Sequence, residues 1–133
     1  MESRWVVPLA IAAAFLGGTA PATAHHSFAA TYQEGVIIEI RGQVVQFMFR
    51  NPHSFLHVMA PDENGAMQRW AVEWGGAGQL VEQGMERSTL KPGDEVVIVG
   101  APSRNLTEHR MRMNSLVRPQ DGFSWGLGGE RFN

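Results

Sequence analysis

Hydrophobic and polar residues alternate through most of the chain after position 35, which is the pattern of half-buried β-strands. In the first run, Val36 to Arg50, one apolar face consists of Val36, Ile38, Ile40 and Val44, and it then shifts to Val45, Phe47 and Phe49. This change of phase just after Gly42 predicts a bulge or a sharp bend within one long strand. The same pattern predicts four further strands, at Ser54–Ala60, Met67–Trp74, Glu95–Ala101 and His109–Val117.

One short helix interrupts the strands. It is predicted at Ala77–Gln83, with Gly84 as its C-terminal stop. Three strands, a helix and two strands is the order of an OB-fold, and a bent first strand suits barrel closure. We therefore predict a mainly β fold: a small OB-like five-stranded antiparallel barrel with one short helix between strands 3 and 4. The alternative is another small antiparallel barrel, or a sandwich with a helical plug.

The first 24 residues have the features of a secretory signal peptide. Arg4 precedes an apolar run from Trp5 to Leu16, and small residues follow up to Ala24. The run is too short for a membrane-spanning helix, which needs about 20 residues. Cleavage after Ala24 makes His25 the first residue of an exported protein, periplasmic or secreted, with no membrane span. The alternative is an uncleaved membrane anchor.

Composition narrows the classes of function. The chain has no cysteine, which excludes disulfides, thiol catalysis and cysteine-ligated zinc. The net charge of −2 argues against a nucleic-acid partner, because such proteins usually carry a basic excess. We expect one domain at residues 25–118, followed by a flexible C-terminal tail at residues 119–133, in which the alternative is that Phe123 and Trp125 dock against another part of the protein. No pattern indicates a catalytic site, so we expect a non-catalytic binding domain.

Several short motifs together resemble a known family. They are His25-His26-Ser27-Phe28, Gly42-Gln43-Val44-Val45, Asn51-Pro52-His53, Trp70-Ala71-Val72-Glu73 and the segment from Ser88 to Val96. This combination is similar to the bacterial exported family DUF6152, over roughly His25 to Pro119. The resemblance implies export and one compact β domain. It implies no activity, because no function is established for the family.

The predicted mature terminus suggests a metal site. A terminal His25 offers its α-amine and its imidazole to one metal ion, and His26 adds a second ring. Nitrogen ligands in a tetragonal arrangement favour Cu(II). His53 and His57 are candidate additional ligands, of which we expect at most one to join His25, since four strand residues span about 13 Å. Further candidates are Glu73, His109 and the soft ligands Met48, Met59, Met67, Met111 and Met113.

A docking role without metal is the alternative function. OB barrels bind ligands on the face of strands 2 and 3, which here would present Phe55, Arg69 and Glu73, with His57 beside them. The partner would be a periplasmic protein or a cell-envelope polymer. If the parity of the strands is reversed, Trp70 and Trp74 occupy this face, although we expect them in the core, because large aromatic side chains dominate small cores.

Overall fold

The computed structural model describes residues 28–126, which form a six-stranded sheet with two short helices. The signal-peptide prediction at residues 1–24 and the candidate ligands His25 and His26 lie outside the described residues. In chain order the elements are α1 (Phe28–Thr31), β1 (Ile38–Met48), β2 (Phe55–Pro61), β3 (Met67–Glu73), α2 (Ala77–Glu82), β4 (Glu95–Pro102), β5 (Arg110–Arg118) and β6 (Phe123–Trp125).

The first five strands close into a barrel. The sheet order is β3-β2-β1-β4-β5-β6, and a further pairing joins β3 to β5. Four pairs of barrel strands are antiparallel, and the closing pair is parallel, running from Ala71 opposite Arg110 to Glu73 opposite Arg112. The predicted mainly β class is confirmed, as are the five-stranded barrel and the helix between β3 and β4.

Strand β1 bends at the predicted place. Its first half pairs with β4 and its second half with β2. The register against β2 shifts between Val44 and Gln46, which is the predicted bulge. At Gly42 a Cβ atom would lie 2.0 Å from the Met59 carbonyl oxygen, so a larger residue cannot occupy this close approach. The bend therefore lets one strand contribute to both sides of the barrel.

Alternate side chains of the strands fill the barrel. Trp70 and Trp74 are 9% and 4% exposed, which places both in the core, as expected. Helix α2 buries Leu80 completely, whereas the next residue, Val81, is 57% exposed. The fully buried aliphatic and sulfur side chains include Leu56, Val58, Val72, Ile98, Met111 and Leu116.

The start of the predicted tail belongs to the sheet. Residues Phe123–Trp125 form β6, which pairs with β5 in antiparallel fashion. The Trp125 ring meets the Trp74 ring edge-on, with centroids 5.0 Å apart. Phe123 and Trp125 thus pack against the core, which corresponds to the alternative of docking and not to a flexible chain from position 119.

Neither helix within residues 28–126 is long and apolar enough to cross a membrane.

Candidate functional site

Two loops lie against each other at one end of β2 and β3. The Ala77 amide donates to the Arg50 carbonyl oxygen at 3.0 Å, and the Gly78 amide donates to Asn51 Oδ1 at 3.1 Å. At Gly76 a Cβ atom would lie 2.6 Å from the Pro52 carbonyl oxygen and 2.7 Å from Asn51 Oδ1. Only glycine allows this approach without displacing the neighbouring loop. The Asn51-Pro52-His53 turn, whose Asn–Pro peptide bond is cis, is held in place by these contacts.

His53 projects from this turn toward the N-terminal segment. Its ring meets the Phe28 ring edge-on, with centroids 5.9 Å apart. Its Nδ1 lies 3.4 Å from Glu73 Oε1, and 39% of the side chain is exposed. Because the Nδ1 edge faces a carboxylate, Nε2 is the nitrogen of this imidazole that is available to a ligand.

Glu73 is the centre of a buried polar cluster. It is 7% exposed, and its Oε2 accepts hydrogen bonds from the Tyr32 hydroxyl and from Arg110 Nη2, the latter at 2.5 Å. Arg110 Nε also donates to the Tyr32 hydroxyl oxygen at 2.8 Å. Every member therefore has a partner, which is the condition for burying such groups without a large penalty.

The environment of Tyr32 disfavours its ionised form. The side chain is completely buried. Burial, reinforced by the hydrogen bond to Glu73 and by its negative charge, raises the pKa of the Tyr32 hydroxyl well above its usual range. The hydroxyl therefore stays protonated and continues to donate to Glu73 at all physiological pH values.

The segment from Phe28 to Gln33 is fixed to the barrel surface. The Gln33 amide donates to the Pro102 carbonyl oxygen at 2.9 Å, and the Arg104 amide donates to the Thr31 carbonyl oxygen at 2.9 Å. The Arg112 guanidinium lies over the Phe28 ring, 3.8 Å from its centroid, which is a favourable cation–π distance. The segment from Phe28 to Gln33 is thus anchored next to His53.

A cavity of about 320 Å³ opens beside His53. Its wall combines aromatic rings, two glycines and a few polar side chains. Trp74 contributes an indole Nε1 that is buried without a hydrogen-bond partner. The lining residues include Phe28, His53, Glu73, Gly75, Gly76, Trp74, Gln79, Arg112 and Trp125.

The other predicted site residues occupy the outer face of β2 and β3. His57 Nδ1 accepts a hydrogen bond from Arg69 Nε at 2.9 Å, and Arg69 also donates to Gln46. Burial, followed by the positive charge of Arg69, lowers the pKa of His57. Phe55 lies under Arg110, whose guanidinium carbon is 5.4 Å from the ring centroid. His57 and His53 therefore have different partners, and the structure does not bring them together.

Comparison with known protein families identifies the family of this chain. A family model described as a family of unknown function, DUF6152, matches residues 14–112. The chain belongs to the DUF6152 family. It matches no curated protein and no solved structure.

Within residues 28–126 of this DUF6152 protein, no three histidine or acidic side chains are grouped closely enough to hold a metal ion. His53 and Glu73 supply two such groups, and the Glu73 carboxylate already accepts hydrogen bonds from Tyr32 and Arg110. A metal ion bound at His53 would therefore need donors from outside the described residues.

The sequence did not indicate Tyr32 and Arg110 as partners of Glu73. The parallel pairing of β3 with β5 brings Arg110 close to Glu73. No local sequence pattern predicts this pairing. One signal was available for Tyr32: it is the only tyrosine of the chain, and it lies just after the His-His-Ser-Phe motif.

Proposed function

We propose that this protein is an exported, non-catalytic domain that binds copper between the mature N-terminal His25 and the imidazole of His53. His25 supplies its α-amine and ring nitrogen, and His53 supplies Nε2. Glu73 faces the opposite nitrogen of the His53 ring and orients it. The proposal includes cleavage after Ala24, since only a free amine at His25 can act as a ligand.

The contact between Phe28 and His53 is the observation that carries the proposal. Phe28 lies three positions after His25, and its ring meets that of His53 at 5.9 Å. Three residues of extended chain span at most about 11 Å. Phe28 is held by Arg112 and its neighbours by the β4–β5 loop, so a chain that begins at His25 would start within reach of His53, which supports the proposal.

The chemistry of the donors favours copper. An α-amine has a reference pKa of about 7.7–8.0, so it loses its proton readily when a metal competes for it. An amine and two imidazoles give a set of nitrogen ligands that suits tetragonal Cu(II), which also has the highest affinity among the common divalent metals.

Glu73 has the position of an orienting group. A histidine that binds a metal usually directs its other ring nitrogen to a carboxylate or a carbonyl oxygen, which fixes the tautomer and the ring orientation. Glu73 Oε1 lies 3.4 Å from His53 Nδ1, while Oε2 is held by Tyr32 and Arg110. The carboxylate is therefore fixed before any metal binds.

The test is a competition titration of Cu(II) against a chelator of known affinity. The protein is purified after export without an N-terminal tag, and its intact mass confirms that it begins at His25. Three variants are compared with it: His53→Ala, three alanines inserted before His25, and His57→Ala. The third is the matched control, because His57 is a histidine of the same barrel that binds Arg69 instead.

We expect the first two variants to bind Cu(II) at least about tenfold more weakly, and His57→Ala to bind as the parent does. Equal affinities for the parent and His53→Ala would show that the terminus binds copper without the fold, which contradicts the proposal. A mature protein that begins at any residue other than His25 would lack the proposed amine ligand, which also contradicts the proposal.

A further inference from the structure

We propose that a second cavity, bounded by the start of β1, the β2–β3 hairpin and the β4–β5 loop, binds a partner polypeptide segment in which aliphatic and basic residues alternate. We call it the acidic cavity. Its volume is about 600 Å³, within the range of ligand sites. It shares no lining residue with the cavity beside His53, so this inference does not depend on the copper site.

The charges of the acidic cavity have one sign. Its lining includes four carboxylates and neither lysine nor arginine among the described residues; they belong to Glu39, Asp62, Glu63 and Glu108. Glu39 is paired with the exposed Arg41. Glu108 and Asp62 accept hydrogen bonds from neutral groups, and His109 Nε2 lies 3.8 Å from Asp62. Three carboxylates thus retain negative charge that a cationic ligand can neutralise.

Exposed apolar side chains border the same cavity. Val36 and Leu106 line it and are 42% and 81% exposed. Met67, 58% exposed, pairs across the hairpin with Pro61, which also lines it. Ile37 lies between two lining residues and is 55% exposed. Of the five large hydrophobic side chains exposed in the described region, two therefore line the cavity, two adjoin residues that line it, and only Val81 lies on α2. Such clustering is typical of interaction sites.

The inner wall of the acidic cavity is apolar. Trp70 and Ile40 belong to the barrel core, and both line the cavity. Aliphatic groups of a ligand can therefore pack inside, while its cations stay near the carboxylates of the rim. An anionic ligand would meet repulsion, and a neutral aliphatic one would leave the carboxylates without a partner.

These features select one kind of occupant. A segment that carries lysine or arginine between aliphatic residues is complementary to these features, because its aliphatic side chains can pack against the apolar wall while its long basic side chains reach the carboxylates of the rim. The partner is therefore a protein with an exposed segment of this composition.

The test uses a capped hexapeptide of alternating valine and lysine. Its binding to the full mature protein is followed by the backbone amide shifts in NMR spectra, with a valine–glutamate hexapeptide as the matched probe. We expect saturable shifts confined to the walls of the acidic cavity for the lysine peptide, and no saturable binding of the glutamate peptide.

Two double variants locate the site. Glu63→Lys with Leu106→Ser changes the rim of the acidic cavity, and we expect it to weaken binding about tenfold. Glu82→Lys with Val81→Ser introduces the same two residue types on α2, outside the cavity, and we expect no effect on peptide binding. All four residues are exposed, and the amide spectra of the variants verify their folding.

Three results would overturn the inference. They are equal binding of the two peptides, shifts outside the acidic cavity, and equal losses in the two double variants. The chain's own C-terminus is an alternative occupant of the acidic cavity, and a protein truncated after Gly126 tests this alternative. We expect truncation to leave the affinity unchanged, and a tenfold gain would instead assign the cavity to residues 127–133.

Discussion

The hydroxyl group of Tyr32 donates a hydrogen bond to the carboxylate of Glu73, which lies 41 positions further along the chain. The bond joins the segment after the predicted cleavage site to strand β3, at the point where the barrel closes. It also fixes the carboxylate that faces His53. One contact therefore contributes both to the stability of the fold and to the geometry of the candidate copper site.

Replacement of Tyr32 by phenylalanine tests this contact. The ring is retained, while Glu73 and Arg110 lose a buried hydrogen-bond partner. We expect the free energy of unfolding to fall by about 1–3 kcal/mol, measured by urea denaturation. Arg110 still pairs with Glu73, so the variant should fold. An unchanged free energy of unfolding would mean that the hydroxyl has no net stabilising effect.

The ionisation of Tyr32 gives a second prediction. Burial and Glu73 raise its pKa in the folded protein, so its contribution to stability is complete below the unfolded value of about 10 and is lost as the pH rises toward the folded value. Because the chain has one tyrosine, the tyrosinate absorbance reports this group alone. We expect no tyrosinate near pH 10 in the folded protein, whereas the protein in urea titrates normally. Coincident titration curves would contradict the buried hydrogen bond.

Gly76 gives a prediction about the loop that carries His53. In Gly76→Ala the new Cβ would lie 2.6 Å from the Pro52 carbonyl oxygen, so the turn must move. We expect a loss of about 1–3 kcal/mol in the free energy of unfolding, together with weaker Cu(II) binding.

The matched control for Gly76 is Gly78→Ala. Gly78 lies within α2, and its added Cβ would meet its nearest neighbour at 3.9 Å, an ordinary contact. Alanine also favours a helix over glycine by about 1 kcal/mol. Equal destabilisation by the two substitutions would show that the close approach of the two loops does not matter.

The dependence of stability on pH tests the environment of His57. Burial and Arg69 lower the pKa of this histidine below 6.5, so the neutral form is favoured in the folded protein. The unfolded chain then binds the proton first, and stability falls as the pH drops below about 6.5 and on through the folded pKa.

We therefore expect His57→Gln to lose less stability than the parent between about pH 7.5 and about pH 5.5, measured by urea denaturation. The comparison cancels the contributions of the other titrating groups, which both proteins share. An identical pH dependence would mean that His57 has the same proton affinity in the folded and unfolded chains.

The sequence predicts the barrel well because the pattern that defines it is local. The change of phase after Gly42 marks the bulge of β1, and the order of elements indicates the topology. The burial of Trp70 and Trp74 follows from their size and alternation. Each of these features depends on neighbouring residues in the chain.

The polar cluster is less predictable because it depends on pairings between distant strands. Arg110 reaches Glu73 only through the parallel closure of β3 with β5. Likewise, Phe123 and Trp125 lie in a polar, glycine-containing segment whose local pattern indicates a tail, yet they pack on the core. The sequence indicates both His53 and His57 as candidate ligands. Only the structure shows that His53 faces Glu73, whereas His57 accepts a hydrogen bond from Arg69.

The most direct test of the proposed copper site is an electron paramagnetic resonance spectrum of the mature protein with one equivalent of Cu(II). The reference is a synthetic peptide of residues His25 to Tyr32, which has the same terminal amine and histidines without the barrel. We predict different spectra for the protein and the peptide, with an additional nitrogen ligand in the protein that disappears in His53→Ala. Identical spectra for the protein, the variant and the peptide would contradict the account.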